Sequence, residues 1–209
     1  LLMLAQRDDV GPVGTSLSFG LLSSLVALIV IFLWLEWGPQ RGAPWVWLPL
    51  ALPALPLVTG QYAIALHLGL DGHYAAVLWS HLLWVLPWML LVLQPAWQRL
   101  DPRLILTART LGWRRAKIFC LLKCPLLVRP ALLAFATGFS VSMAQYMPTL
   151  WLGAGRFATL TTETVALSSG GSIPVLANRA LGLLLVTGTV FGLASLFSRL
   201  AGRYRQGLR

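Results

Sequence analysis

Along this chain, charge is absent from five windows, 10–35, 42–70, 72–98, 130–155 and 180–198, and crowded between them. The windows are apolar on every side, so no helical stripe marks a wet face. That pattern suits a helix surrounded by protein or by lipid. Length decides for lipid, because each window is about long enough to cross a hydrocarbon core as a helix, which takes roughly 20 residues. Amides in lipid must be satisfied within their own segment, so helices are the expected form. The predicted spans are 16–37, 45–66, 74–94, 130–151 and 179–200. The expected fold class is all-α: a polytopic membrane helix bundle of about five transmembrane helices.

Composition agrees with that picture. Of the 209 residues 57% are hydrophobic and 11% charged, and mean hydropathy is +0.76. Too few polar side chains remain to cover a soluble surface of this size. A disordered tail and a collagen-like fibre are excluded as well. Sixteen basic residues against six acidic ones leave a net charge of +10. A nucleic-acid partner would require that charge on a soluble face, and none is expected.

The basic residues set orientation instead. Arg99, Arg103, Arg109, Arg114, Arg115, Lys117, Lys123 and Arg129 fall between spans three and four, and Arg199, Arg203, Arg205 and Arg209 follow span five. Two spans separate the groups, so both lie on one side. The positive-inside rule makes it cytoplasmic, with the C-terminus there and the 38–44 turn too. Arg7, Asp8 and Asp9, the 67–73 turn and the 152–178 loop then lie outside. An outward N-terminus, a leucine at position 1 and an odd number of spans predict the C-terminal part of a longer protein. No linker or internal repeat divides residues 1–209, which are expected to form a single transmembrane domain with a cytoplasmic loop at 96–129.

Prolines at 49, 53 and 56 in span two, and Pro87 in span three, predict kinks that either line a pathway or only shape the bundle. Ala134 with Gly138, and Gly188 with Gly192, are small-xxx-small pairs of the close-packing type.

The stretch from Asp101 to Leu127 is the most informative. Asp101 suits a helix N-cap and Pro102 its first turn. Leu104, Ala108 and Leu111 follow i, i+4, i+7 spacing and form one apolar stripe. Gly112 suits a left-handed helix end, and Pro125 is expected to break the following run before span four. Such a helix either lies on anionic lipid or docks its stripe in a groove of a soluble partner. Composition alone leans to lipid.

This stretch resembles the cytoplasmic signature loop of binding-protein-dependent ABC importer permeases, the inner-membrane component of type I importers. That loop runs Glu-Ala-Ala, three residues, Gly, and then a stretch ending in Ile/Val-x-Leu-Pro. Gly112 takes the glycine position and Pro125 follows thirteen residues later, with Phe119 and Leu122 at apolar positions between them. Leu106-Thr107-Ala108 stands where Glu-Ala-Ala would be, and Cys124 replaces the usual leucine, so the frame that carries over is Ala108, Gly112 and Pro125. The segment 157–167 is similar to the outer loop before the last span of such permeases, and Gly14-Thr-Ser-Leu to the opening of their core. The wording around Glu163 is closest to the branch that moves iron, polyamines, thiamine and related small solutes, some of whose members are double-length fusions.

The resemblance implies a multi-pass permease of the bacterial inner membrane and three kinds of partner. These are cytoplasmic ABC ATPase subunits, an extracytoplasmic solute-binding protein, and a second permease half, whether an identical, a different or a fused copy. Leu104, Thr107, Ala108, Arg109, Leu111, Gly112 and Pro125 would couple to the ATPase, whose closure would tilt spans three and four. The solute expected is thiamine-like or another small cation, iron or polyamine. No G-x-x-x-x-G-K-[ST] loop occurs, so ATP hydrolysis is expected on another chain, with no catalytic residues, cofactor or metal here.

Polar groups at membrane depth tend to face a cavity. Ser142, Gln145, Tyr146 and Thr149 follow i+3/i+4 spacing on span four, and are expected to share a face lining the translocation pathway or to bond between helices. Alternatives are a membrane-embedded enzyme, for which no G-x-S-x-G, H-E-x-x-H or paired carboxylates are present, and a non-transporting scaffold. Cys120 and Cys124 read as small buried hydrophobes. His67, His73 and His81 lack the partners a metal site needs. Arg156 and Glu163 are candidates to cap a helix, to pair with each other or to meet the solute-binding protein. Tryptophans such as Trp34, Trp37, Trp45, Trp47 and Trp97 form an interfacial belt with lipid.

Overall fold

The computed structural model describes residues 10–38, 44–168 and 173–203. The expected outer Arg7, Asp8 and Asp9, most of the 38–44 turn, and Arg205 and Arg209 lie outside these residues. The described residues form helices and turns with no strand. In order they are α1 (Val10–Trp37), a 3₁₀ turn (Pro44–Trp47), α2 (Leu48–Ala51), α3 (Ala54–His67), α4 (Tyr74–Gln98), α5 (Pro102–Thr110) and α6 (Arg115–Ile118). A π turn (Phe119–Lys123), α7 (Cys124–Met143), α8 (Met147–Leu152), α9 (Leu160–Ser168) and α10 (Ile173–Arg203) follow.

Four stretches are long and apolar enough to cross a membrane: Gly11–Trp37, Tyr74–Gln98, Arg115–Met143 and Ile173–Arg199. A fifth crossing results if Pro44–Ala51 and Ala54–His67 count as one span bent by 116°. The expected span at 45–66 is therefore broken outright, beyond the kink its prolines predicted. Pro53 imposes the break: its ring pushes Leu52 out of the helical region, and Leu52 is extended at φ −93°, ψ 149°. Pro87 and Pro95, by contrast, lie inside an unbroken α4.

Span four also differs from expectation. It begins near Arg115, not at 130, and ends at Met143, not at 151. Pro125 does not interrupt it. A prolyl ring removes one amide donor and crowds the carbonyl four residues back. The π turn just before it relieves that conflict, with the Cys124 N–H reaching back five residues to the Phe119 carbonyl. At the far end Pro148 occupies the first turn of α8, and the chain between α7 and α8 leaves the helix.

α7 is the centre of the bundle, packed on α1, α4 and α10. Its core joins Ala27 and Ile31 of α1 to Val85, Met89 and Leu93 of α4 and Ala131 and Ala134 of α7. Apolar burial drives little helix association in lipid, so close approach of backbones matters more. A Cβ on Gly138 would lie 2.3 Å from the Met89 sulfur, and one on Gly20 2.6 Å from the Phe139 ring. Gly188 and Gly192 correct the sequence expectation: a Cβ there meets nothing within 4 Å, so they are not close-packing positions within this chain. Cys120 is exposed and Cys124 half-buried, so Cys120 is not the buried hydrophobe expected.

Candidate functional site

Two sites emerge, one on α5 and one at the α7–α8 break. α5 is held by local chemistry at both ends. Asp101 Oδ1 accepts the Arg103 backbone N–H at 2.8 Å, and Pro102 occupies the first turn. At the other end Trp113 N–H donates to the Ala108 carbonyl at 3.1 Å and Gly112 N–H to the Arg109 carbonyl at 2.9 Å. Gly112 sits at φ +75°. Together these form a Schellman closure, which requires a left-handed residue at the Gly112 position. Of the apolar stripe only Ala108 is buried. Leu104, Leu106 and Leu111 are 47%, 64% and 69% exposed. Thr107 and Arg109 are exposed beside them, with the Thr107 hydroxyl donating to the Arg103 carbonyl at 3.0 Å. Pro125 lies apart from α5, at the start of α7.

The second site is a polar junction on α4. His81 is fully buried, with Nδ1 2.7 Å from Ser142 Oγ and Nε2 2.9 Å from Thr149 Oγ1. The Thr149 hydroxyl donates its proton to the Gln145 carbonyl at 2.7 Å. It must therefore accept from Nε2–H, while Nδ1 stands within hydrogen-bond reach of the Ser142 hydroxyl. Every polar group of the trio is satisfied. The bonds fasten both sides of the helix break to α4.

Ser142, Gln145 and Thr149 border, with His81, Ser16 and Thr159, a void of about 10 Å³. That is close to the smallest space that holds one water. Tyr146 does not line it. Tyr146 lines a second cavity of about 320 Å³, walled by Val58 of α3, Trp84 of α4, Val141 of α7 and the α8 turn. Gln145 borders both. The four predicted pathway residues thus do not share one helical face. The break at 144–146 turns Tyr146 away from Ser142 and Thr149. The buried indole N–H of Trp84 has no hydrogen-bond partner among the described residues.

Sequence reasoning set His81 aside for want of metal partners, although a histidine in the middle of an uncharged span was itself the signal. It also passed over Glu36, the acidic residue that closes the first window. On the α9 side, Glu163 pairs with Arg179 at 3.2 Å, not with Arg156. The Arg156 side chain lies instead over Gly72, where an added Cβ would meet its Nε at 2.9 Å.

No family model matches the chain. It is 64% identical over 194 residues, 93% of its length, to the inner membrane ABC transporter permease protein YnjC of Escherichia coli. It is 30% identical over 122 residues, 54% of its length, to a spermidine/putrescine transport system permease protein PotC homolog of Mycoplasma genitalium. The matched regions cover 38% and 42% of those proteins. An all-helical bundle with four or five candidate membrane crossings, 64% identical over nearly its whole length to part of such a protein, is similar to the inner-membrane permeases of ABC transporters.

Proposed function

We propose that this chain is the part of an ABC importer permease that carries a small solute inward, with α5 seated in a groove of a separate cytoplasmic ATPase. α5 is the observation that supports this most. It is a short, firmly capped helix whose leucines stand exposed among the described residues, and it is ringed by Arg103, Arg109 and Arg114. An exposed apolar stripe on a rigid element suits helix-in-groove docking. ATP-driven closure of the ATPase would move α5 as a body. α4 and α7, which flank it in sequence, would tilt with it and shift access to the pathway from one face to the other. In this reading the α5 side and the C-terminus are cytoplasmic, a solute-binding protein delivers cargo from the other face, and a second permease half completes the path. Leu104, Thr107, Ala108, Arg109, Leu111 and Gly112 form the contact, and Pro125 shapes the start of α7.

Co-purification of the full-length permease with its ATPase tests the reading. The Leu104→Asp/Leu111→Asp double variant is expected to insert normally and to lose the ATPase. Retention of the ATPase by that variant would refute α5 as the docking element.

The larger cavity is the favoured stretch of pathway. Trp84 and Tyr146 supply aromatic faces that attract cations, and Gln145 supplies a polar group. The Mycoplasma relative is named for spermidine and putrescine, which supports a small cation as cargo. Ser142 and Thr149 then act at its edge, by holding the α7–α8 turn. Replacing Gln145 by Leu and Tyr146 by Phe together is expected to cut uptake in vesicles while the ATPase stays bound. Unchanged uptake would place the path elsewhere.

A further inference from the structure

The Glu36 side chain, at the end of α1, is 2% exposed, and each of its oxygens lies against a basic side chain. Oε1 accepts from Arg115 Nε at 2.8 Å, and Oε2 lies 2.5 Å from Lys123 Nζ. The Arg115 guanidinium also donates to the Glu36 backbone carbonyl. A carboxylate withdrawn from water needs such partners on every lone pair.

The position of those partners is what matters. Arg115 opens α6, and Lys123 closes the π turn that joins α6 to α7. One carboxylate therefore spans the only segment of the Arg115–Met143 helix with the wider five-residue bonding. A π turn is a local departure from the helical ladder and a natural place to bend. Aromatic rings close the same spot. Phe119, the first residue of the turn, sits edge-on to Trp37 at 5.1 Å and to Phe32 at 6.0 Å. Lys123 Nζ lies 4.7 Å from the Trp97 ring centroid. The ends of α1 and α4 and the whole turn meet at this point.

We propose that Glu36 is a positioning residue that braces the π turn, so that movement of α5 and α6 reaches α7 and α1 undiminished. Without the brace the turn flexes and absorbs the stroke. The inference rests on the reading of α5 as the element the ATPase moves, but stiffness of the turn can be measured without the ATPase.

In the full-length permease with its native cysteines replaced, nitroxide labels at positions 117 and 133 bracket the turn. They lie sixteen residues apart, about 24 Å along a helix. The otherwise unchanged permease is expected to give one narrow distance. Glu36→Gln is expected to lose it, giving a broad distribution with shorter components. Arg115→Gln leaves Glu36 neutralised by Lys123 and is expected to broaden the distance as well; it decides the matter if Glu36→Gln does not insert. A narrow distance in folded Glu36→Gln or Arg115→Gln would overturn the brace. With the ATPase bound, Glu36→Gln is expected to keep the ATPase but lose the ATP-driven change in reactivity of a cysteine at position 145. Survival of that change would also overturn the brace. Failure of the unmutated permease to hold an ATPase is a separate result: it removes the docking of α5 and leaves the label distances to report on the turn.

Discussion

Gly112→Val is expected to abolish ATP-coupled uptake in vesicles while the permease still inserts and folds. The cause is conformational, not steric. A Cβ at this position meets nothing within 4 Å, so there is room for a side chain. The obstacle is φ +75°, where an L-residue costs about 1–2 kcal/mol and a β-branched one more. Valine would relieve the strain by leaving the left-handed region. The bonds from Trp113 and Gly112 back to Ala108 and Arg109 would then open, and the last turn of α5 would fray. Leu111 sits on that turn, so the apolar stripe would lose its geometry where docking needs it. Asparagine tolerates the same backbone, so Gly112→Asn is expected to keep most of the activity. Equal loss in both variants would mean that the glycine is needed for something other than its φ.

The second large effect is on folding. Gly138→Leu is expected to prevent a stable bundle, with Gly138→Ala intermediate. Even a methyl group would stand 2.3 Å from the Met89 sulfur and 3.0 Å from a Val85 methyl. Overpacking of this kind typically costs about 1–3 kcal/mol, more where neighbours cannot shift. Met89 is flexible but fully buried, so it has few places to go. Thermal unfolding in detergent should show a lower midpoint for Gly138→Ala, and Met89→Ala in the same chain should restore part of the loss. No recovery in the double variant would put the conflict elsewhere than at the α4–α7 contact.

The elements that sequence inspection resolved are those determined by nearby residues. The N-cap at Asp101, the proline in the first turn and the glycine closure of α5 all depend on side chains within a few positions. Charge-free length was enough to locate α1, α4 and α10, with ends misplaced by several residues because apolar runs carry no end signal. Proline was harder. At Pro53 the expected kink became a full break, and at Pro125 the expected break became a π turn. The difference lies in what surrounds the ring. Around Pro125 the aromatic cluster and the Glu36 ion pairs keep the backbone helical, whereas residues 51–56 are exposed among the described residues. The i+3/i+4 grouping of Ser142 through Thr149 failed for the related reason that Pro148 stops α7 early. Two junctions were beyond inspection altogether. His81 meets partners 61 and 68 residues away, and Glu36 meets partners 79 and 87 residues away. Those separations are a product of topology, which no local window contains.

α10 packs along α7, with Leu183, Val186 and Val190 beside Phe139 and Met143, yet only 6% of its most apolar window is fully buried. The innermost cluster of α1, α4 and α7, around Met89, takes no side chain from it. It behaves as an outrigger lashed to α7 on one side, with its other side turned to whatever surrounds the molecule. Substitutions along its outer side should therefore be tolerated as long as they stay greasy, and mutational drift should gather there sooner than on the three helices inboard of it.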